Sequence, residues 1–273
     1  LASPLRDVYK RQLLPDADFC AREDFDLTAP VEELLAARDW PQYSTIINAA
    51  AFNDVNGAET TEGRAASWAV NALGPAKLAQ IATTYDLKLV HVSSDYVFDG
   101  TVAEHTEEET PSPLSVYGAS KAAGEAAAAA CPRHYVVRTA WVFGEGSNFM
   151  ATMARLASQG ATAQVVCDQR GRPTWAEDLA KGIVHLLDVE ADYGIYNITS
   201  GGDPATRDEI AMVAFIAAGS APTGVTPVTT AQYQELHGPE AARPAESTLT
   251  LDKIEATGFT PTNWRVALAL YVG

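Results

Sequence analysis

The chain has 273 residues, 47% of them hydrophobic and 20% charged, enough to bury a substantial core in one large domain or two unequal ones. Its formal net charge of −16 opposes non-specific attraction to nucleic acid or to an anionic membrane. Three scattered cysteines, Cys20, Cys131 and Cys167, exclude a disulfide framework and read as thiols of a reducing cytoplasm, and no apolar run approaches the roughly 20 residues that span a bilayer.

The opening LASPLRDVYKRQ (1–12) lacks the apolar centre of a signal peptide. Four later segments, STIINAA (44–50), LKLVHVSS (87–94), HYVVRTAWVFG (134–144) and GIYNITSG (194–201), are short, rich in β-branched residues and bounded by turn formers, so they read as strands. Helical patterns lie between them. Ala65, Trp68, Ala72, Ala76 and Ala79 follow three- and four-residue steps, and LSVYGASKAAGEAAAAA (114–130) is strong helix material. This alternation predicts a doubly wound, Rossmann-like α/β fold, with parallel strands joined by right-handed crossover helices and a crevice at the strands' carboxyl ends.

After about Ala140 the rhythm changes. Residues 148–159 and 176–188 read as helices, and 163–175 as a strand and loop. The Pro- and Thr-rich stretch 220–248 reads as irregular chain over a cleft. The division expected is a dinucleotide-binding domain over 1–145 and a smaller, mainly substrate-binding lobe over 146–273, with 176–200 returning to the Rossmann sheet.

The chemistry centres on YGASK, where Tyr117 and Lys121, four apart on a helix, share a face. A cation there would draw the phenol down from about 10 and make it a general acid or base. Ser93, Ser94 and Asp95 follow the apolar run KLVHV, so hydroxyls stand at a strand tip where this fold class places its reacting groups. Alone, a Tyr/Lys pair of this spacing is a weak signal; the strand-tip hydroxyls, NAAA and Asn71 strengthen it.

INAAAFNDVNGAE, VNALGPAKLA, HVSSDYVFDG, SPLSVYGASKAAGE, VVRTAWVFGEGSNF, DQRGRPT and RPAESTL together closely resemble the dTDP-4-dehydrorhamnose reductase family, extended short-chain dehydrogenases/reductases, from about Leu13 to the C-terminus. The resemblance implies an NADPH-dependent oxidoreductase that reduces dTDP-4-dehydro-β-L-rhamnose to dTDP-L-rhamnose for cell-surface polysaccharide, with NADH as the other candidate cofactor. It implies catalytic roles for Tyr117, Lys121 and Ser94, the last standing where the family usually has Thr. Cofactor contacts fall on Asn48, Ala49, Ala50, Asn71, Ser93, Tyr117, Lys121, Asp26 and Arg22, and substrate contacts on Asp95, Trp141, Asn148, Gln169 and Arg243. Plainer roles stay open: Trp141 as a core aromatic, Arg243 as a surface salt bridge, Arg22 as a solvated loop charge. The implied partner is a small nucleotide-sugar, with a homodimer compatible and neither nucleic acid nor membrane involved.

The same resemblance implies a first strand and a Gly-rich turn cradling the cofactor pyrophosphate. The first glycine of this chain is Gly57, and residues 1–12 read as foreign to the fold, in place of a native start. DADF (16–19) would then be the second strand, and DFDLT (24–28) the segment near the adenine. Loss of a central strand would leave neighbouring edges unpaired.

Other constellations point elsewhere less strongly. HTEEET (105–110) reads as an acidic solvent-facing loop, so nothing supports a magnesium site, and no histidine pair has metal-ligand spacing. His91 reads as a core histidine, His185 as a helix residue facing the fold, and His237 as a loop residue. The alternatives kept are another nucleotide-sugar epimerase or dehydratase of the superfamily, against which Asp95-Tyr96 in place of an Asp-Glu pair argues, and a non-catalytic dinucleotide-binding regulatory subunit.

Overall fold

The computed structural model describes residues 13–272. The expectation for residues 1–12 lies outside them. The central sheet is fully parallel and contains β1 (Thr45–Asn48), β2 (Lys88–Val92), β3 (His134–Arg138) and β8 (Gly194–Asn197), in the order β1-β2-β3-β8. Each strand is short and β-branched, and its side chains alternate between two buried faces. On one face Val90, Val92, Tyr135, Val137 and Tyr196 pack against Leu179, Ile183 and Leu186 of α6 (Ala176–Asp188). On the other, Leu89 and Val136 pack against Leu78, Ile81 and Ala82 of α3 (Gly74–Thr84) and Ala128 of α4 (Val116–Ala128). The result is the doubly wound three-layer arrangement expected.

DADF does not form a strand. A strand exists through a ladder partner for its backbone groups, and among the described residues β1 pairs only with β2. The chain here instead makes turns leading to α1 (Val31–Ala36).

The helical stripe expected at Ala65 to Ala79 is also interrupted. Between α2 (Thr61–Trp68) and α3 the backbone makes a five-residue π-helical turn, Ala69–Leu73. Such a turn rotates the following residues relative to an ideal helix. Past it Ala76 faces outward while Leu78 is buried; within it Asn71 and Ala72 are buried, and ahead of it Ser67 is buried and Trp68 exposed.

A further hydrophobic core lies beyond those of the sheet. Met150 and Met153 of α5 (Phe149–Ser158), Ile210, Ala214 and Phe215 of α7 (Arg207–Ala217), and Trp264 and Leu268 of α10 (Trp264–Val272) close around β5 (Ala163–Val166). Its partner is β10 (Val225–Val228), parallel to β5, followed by α8 (Thr230–His237). Residues 225–237 are therefore ordered structure rather than irregular chain, and His237 ends a helix rather than lying in a loop. Pro227 fits because β10 has one strand partner, so an edge of its backbone needs no donor. Thr229 starts α8 by accepting from the Gln232 N–H, while the Gln232 side chain accepts from the Thr229 N–H. No helix among the described residues is long and apolar enough to cross a membrane.

Candidate active site

The helix α4 begins at Ser115, whose hydroxyl accepts from the Gly118 N–H at 3.1 Å and leaves Tyr117 and Lys121 on the buried face. Two glycines bring this face against the sheet crevice. A side chain at Gly118 would collide with the Tyr96 carbonyl, and one at Gly124 with the Asn71 carbonyl, in the π-helical turn. The Tyr117 ring consequently sits edge-on to Tyr96, centroids 5.7 Å apart.

At the end of β2, Ser94 donates to Asp95 Oδ1 at 3.0 Å and accepts from the Tyr96 N–H at 3.2 Å, on the side of the Tyr117 phenol. Lys121 Nζ donates to the Val92 carbonyl at 2.6 Å, the last residue of the same strand. Ser94, Tyr117 and Lys121 are thus brought together by one strand tip and one helix face, all buried.

Burial governs the electrostatics. It pushes Tyr117 well above its ordinary value of 10, with the Asp95 charge adding to it and the Ser94 hydrogen bond opposing. It lowers Lys121 to about 8, against the pull of Glu125, and raises Asp95 to about 6, against the Ser94 hydrogen bond and the Arg207 charge. The expectation that Lys121 draws the phenol down is therefore not met here. Its ammonium is engaged by a carbonyl and itself disfavoured by desolvation, so Tyr117 keeps its proton.

The remaining predicted residues divide into three groups. Asn48 braces the turn after β1: its side-chain oxygen accepts from the Ala50 N–H at 3.1 Å and its amide pairs with His91 at 3.1 Å. That leaves Ala49 and Ala50 presenting backbone at the carboxyl end of β1. His91 is buried and held well below its ordinary value by desolvation and by Lys121, as fits a core histidine. Asn71 directs its amide to the Phe52 backbone, accepting from the N–H at 2.8 Å and donating to the carbonyl at 3.2 Å, so its side chain shapes the loop that follows β1.

Asn148 and Gln169 are spent on local contacts around α5, α7 and α8. Asn148 caps α5, accepting from the Ala151 N–H at 2.9 Å while donating to Gly144, Gly146 and Tyr271. Gln169 is buried, donates to Thr230, and its carbonyl accepts the Arg207 N–H at 3.1 Å. Arg243 pairs with Glu240 at 2.6 Å and donates to Asn56 at 3.3 Å, tying the loop after β1 to the C-terminal segment. Arg22 and Asp26 pair with one another at 3.4 Å on an exposed loop.

Trp141 has a left-handed backbone, φ +47°, an uncommon conformation for a bulky residue and one often stored at functional sites. Its indole lies under a guanidinium that the sequence reading missed: Arg207 Cζ is 4.3 Å from the ring centroid, and Arg207 Nη2 is 3.5 Å from the Tyr96 hydroxyl. A usable signal was present. Arg207 opens α7, an end of a helix where the dipole disfavours cations, in a run that otherwise supplies Asp208 and Glu209.

A sequence profile of the RmlD substrate binding domain matches residues 10–273. The chain belongs to this family. The dTDP-4-dehydrorhamnose reductase of Mycolicibacterium smegmatis is 40% identical over 230 residues, covering 82% of this chain and 68% of that protein. The dTDP-4-keto-6-deoxy-D-glucose reductase of Streptomyces niveus is 37% identical over 252 residues, covering 90% and 84%. A crystal structure of dTDP-4-dehydrorhamnose reductase from Bacillus anthracis in complex with NADP superimposes with a TM-score of 0.87 at 29% identity, covering 98% of this chain and 96% of that one.

The residues at the tips of β1 and β2 fit the ribose and nicotinamide end of such a dinucleotide. Ser93 Oγ is buried there without a hydrogen-bond partner, and Lys121, with three N–H donors, makes one hydrogen bond among the described residues. Residues 13–56 contain no glycine, so no Gly-rich turn lies among the described residues ahead of β1 or just after it.

Proposed function

We propose that this chain is an NADPH-dependent reductase of a dTDP-linked 4-keto sugar, converting dTDP-4-dehydro-β-L-rhamnose to dTDP-L-rhamnose. One observation carries the reading: Ser94, Tyr117 and Lys121 converge at the carboxyl end of β2. NADPH, when bound, supplies hydride to the sugar C4. Tyr117, which holds its proton across neutral pH, donates it to the developing C4 alkoxide. Ser94 holds the same oxygen, and Lys121 offers its free donors to the ribose hydroxyls. Asp95 orients the sugar against Trp141, and Arg243 makes charge-assisted hydrogen bonds to the diphosphate.

In this reading residues 1–145 and 176–200 carry the dinucleotide, residues 146–273 mainly the sugar nucleotide, and the enzyme works in the cytoplasm. Asn48 and Asn71 shape the backbone against which the cofactor lies. Arg22 and Asp26 sit toward the adenine, where Arg22 favours a 2′-phosphate and hence NADPH over NADH. The deciding experiment follows NADPH consumption by the purified chain supplied with dTDP-4-dehydro-β-L-rhamnose and identifies the product. Turnover to dTDP-L-rhamnose that vanishes in Tyr117→Phe supports the reading; binding of a partner enzyme unaffected by Tyr117→Phe, with no turnover, would indicate a regulatory subunit.

A second reading keeps the chemistry and changes the sugar. The Streptomyces niveus relative, named for a 4-keto-6-deoxy-D-glucose, is nearly as similar as the dehydrorhamnose reductase quoted above. Turnover of dTDP-4-keto-6-deoxy-D-glucose in preference to the L-rhamnose precursor would decide for it.

A further inference from the structure

We propose that Arg207 is a specificity-determining residue of this site, binding the diphosphate of the nucleotide-sugar over the face of Trp141. The inference rests on the nucleotide-sugar reading above. It adds a residue that the motifs did not point to.

Arg207 is a half-buried cation with unmet hydrogen-bonding capacity. A guanidinium carries five N–H donors. Here Nη2 reaches the Tyr96 hydroxyl at 3.5 Å, the outer limit of a hydrogen bond, while Nε is buried with no partner. No carboxylate among the described residues lies within ion-pair distance, in a chain whose net charge is −16. The adjacent acids are engaged locally: Asp208 accepts from the Thr206 hydroxyl and Glu209 from the Thr206 N–H.

The surroundings define what would satisfy it. Arg207 and Trp141, whose Nε1 is likewise buried without a partner, line one cavity of about 70 Å³ together with Phe143, Phe149, Met150 and Ile210. The Tyr96 phenol feels the positive charge of both Arg207 and Arg243 and lies edge-on to the Tyr117 ring, so both guanidiniums stand on the same side of the site. Glu240 neutralises Arg243 at 2.6 Å. Of the two, Arg207 is the one without an ion-pair partner among the described residues; it lies 4.3 Å from the indole centroid, and its planar fork matches phosphate oxygens.

The test is calorimetric titration of the purified full chain and its Arg207→Leu and Arg207→Lys variants with dTDP and with thymidine, alongside circular dichroism and thermal melting. Arg207→Leu is expected to weaken dTDP by roughly tenfold to a hundredfold. Thymidine binding and the melting temperature should stay unchanged, Arg207→Lys should restore part of the loss, and the wild-type affinity for dTDP should fall more steeply with added salt than that of Arg207→Leu. Equal dTDP affinity in wild type and Arg207→Leu overturns the proposal while leaving the nucleotide-sugar reading intact. Parallel loss of thymidine binding or of fold stability in Arg207→Leu overturns it in favour of a structural role. A wild-type chain that takes up neither dTDP nor thymidine brings down the nucleotide-sugar reading itself, and the proposal with it.

Discussion

The Ser94 hydroxyl donates to the Asp95 carboxylate at 3.0 Å on the side of the Tyr117 phenol, so one small side chain stands between a buried acid and a buried phenol. The coupling needs a hydroxyl and little else. Ser94→Thr, which keeps it, should retain turnover within a few-fold. Ser94→Ala should lower kcat on the order of a hundredfold with less effect on KM, since the interaction strengthens as charge develops on the substrate oxygen. Steady-state kinetics of the two variants decides this; equal activity in all three proteins would remove Ser94 from the reaction.

Tyr117→Phe should be the most damaging single change that leaves the fold intact. The phenol is buried and held protonated, and its ring packs edge-on against Tyr96, a contact that Phe preserves. Loss of the proton donor should cut kcat by roughly a hundredfold to ten-thousandfold. Fluorescence titration of NADPH should show affinity near that of wild type, and a variant that still turns over at half the rate would require another acid.

Much of this arrangement was legible in the chain because local and global signals agree. The four central strands are β-branched runs bounded by turn formers, and an Ala-rich segment beginning at Ser115 could only be α4. What escaped depended on partners distant in sequence. DADF has strand composition but no ladder partner among the described residues, and Pro227 disguised β10, which tolerates proline by having one strand neighbour. Asn148 reads equally well as ligand contact or helix cap, and only geometry shows its amide spent on α5 and its loop. Arg207 carries only the weak signal of a cation at a helix start, with no strand tip to announce it; its partner Trp141 is 66 residues away in the chain and reaches it through a left-handed turn.

Lys121 sets stability against function. Burial lowers its folded-state value from 10.5 to about 8, so the folded protein binds this proton less tightly than the unfolded chain. The resulting contribution to stability is present above pH 10.5, declines as pH falls, and is lost below about 8. Lys121→Met should therefore raise stability at pH 7 by about 2 to 3 kcal/mol and flatten the profile between pH 8 and 10, while abolishing NADPH-dependent turnover. Urea denaturation across that range measures it. A less stable variant at pH 7 would mean that the hydrogen bond to Val92 outweighs desolvation.

Gly118 tests how closely α4 must approach the strand tip. A methyl group there meets the Tyr96 carbonyl, which is backbone and cannot swing aside. Gly118→Ala should gain helix propensity yet lose stability by about 1 to 3 kcal/mol through overpacking, and its kcat should fall because Tyr117 moves with the helix away from Ser94. A stabilised and fully active Gly118→Ala would show that the contact relaxes without cost.

Beneath the site, Arg138 and Glu125 form an ion pair at 2.8 Å with side chains only 1% and 5% exposed. Arg138 also lies 4.8 Å over the Phe98 ring and donates to the Glu107 carbonyl at 3.2 Å, so the pair joins α4, β3 and the segment that follows Asp95. Removing one partner leaves the other charge buried and unpaired, whereas replacing both with apolar groups removes the desolvation cost as well. Glu125→Ala should cost roughly 3 to 5 kcal/mol in urea denaturation, and the double variant Glu125→Leu with Arg138→Met should recover most of that loss. Because the pair also sets the position of Phe98, the double variant should regain stability without regaining full turnover. Recovery of both together would confine the pair to a structural role with no influence on the strand tip.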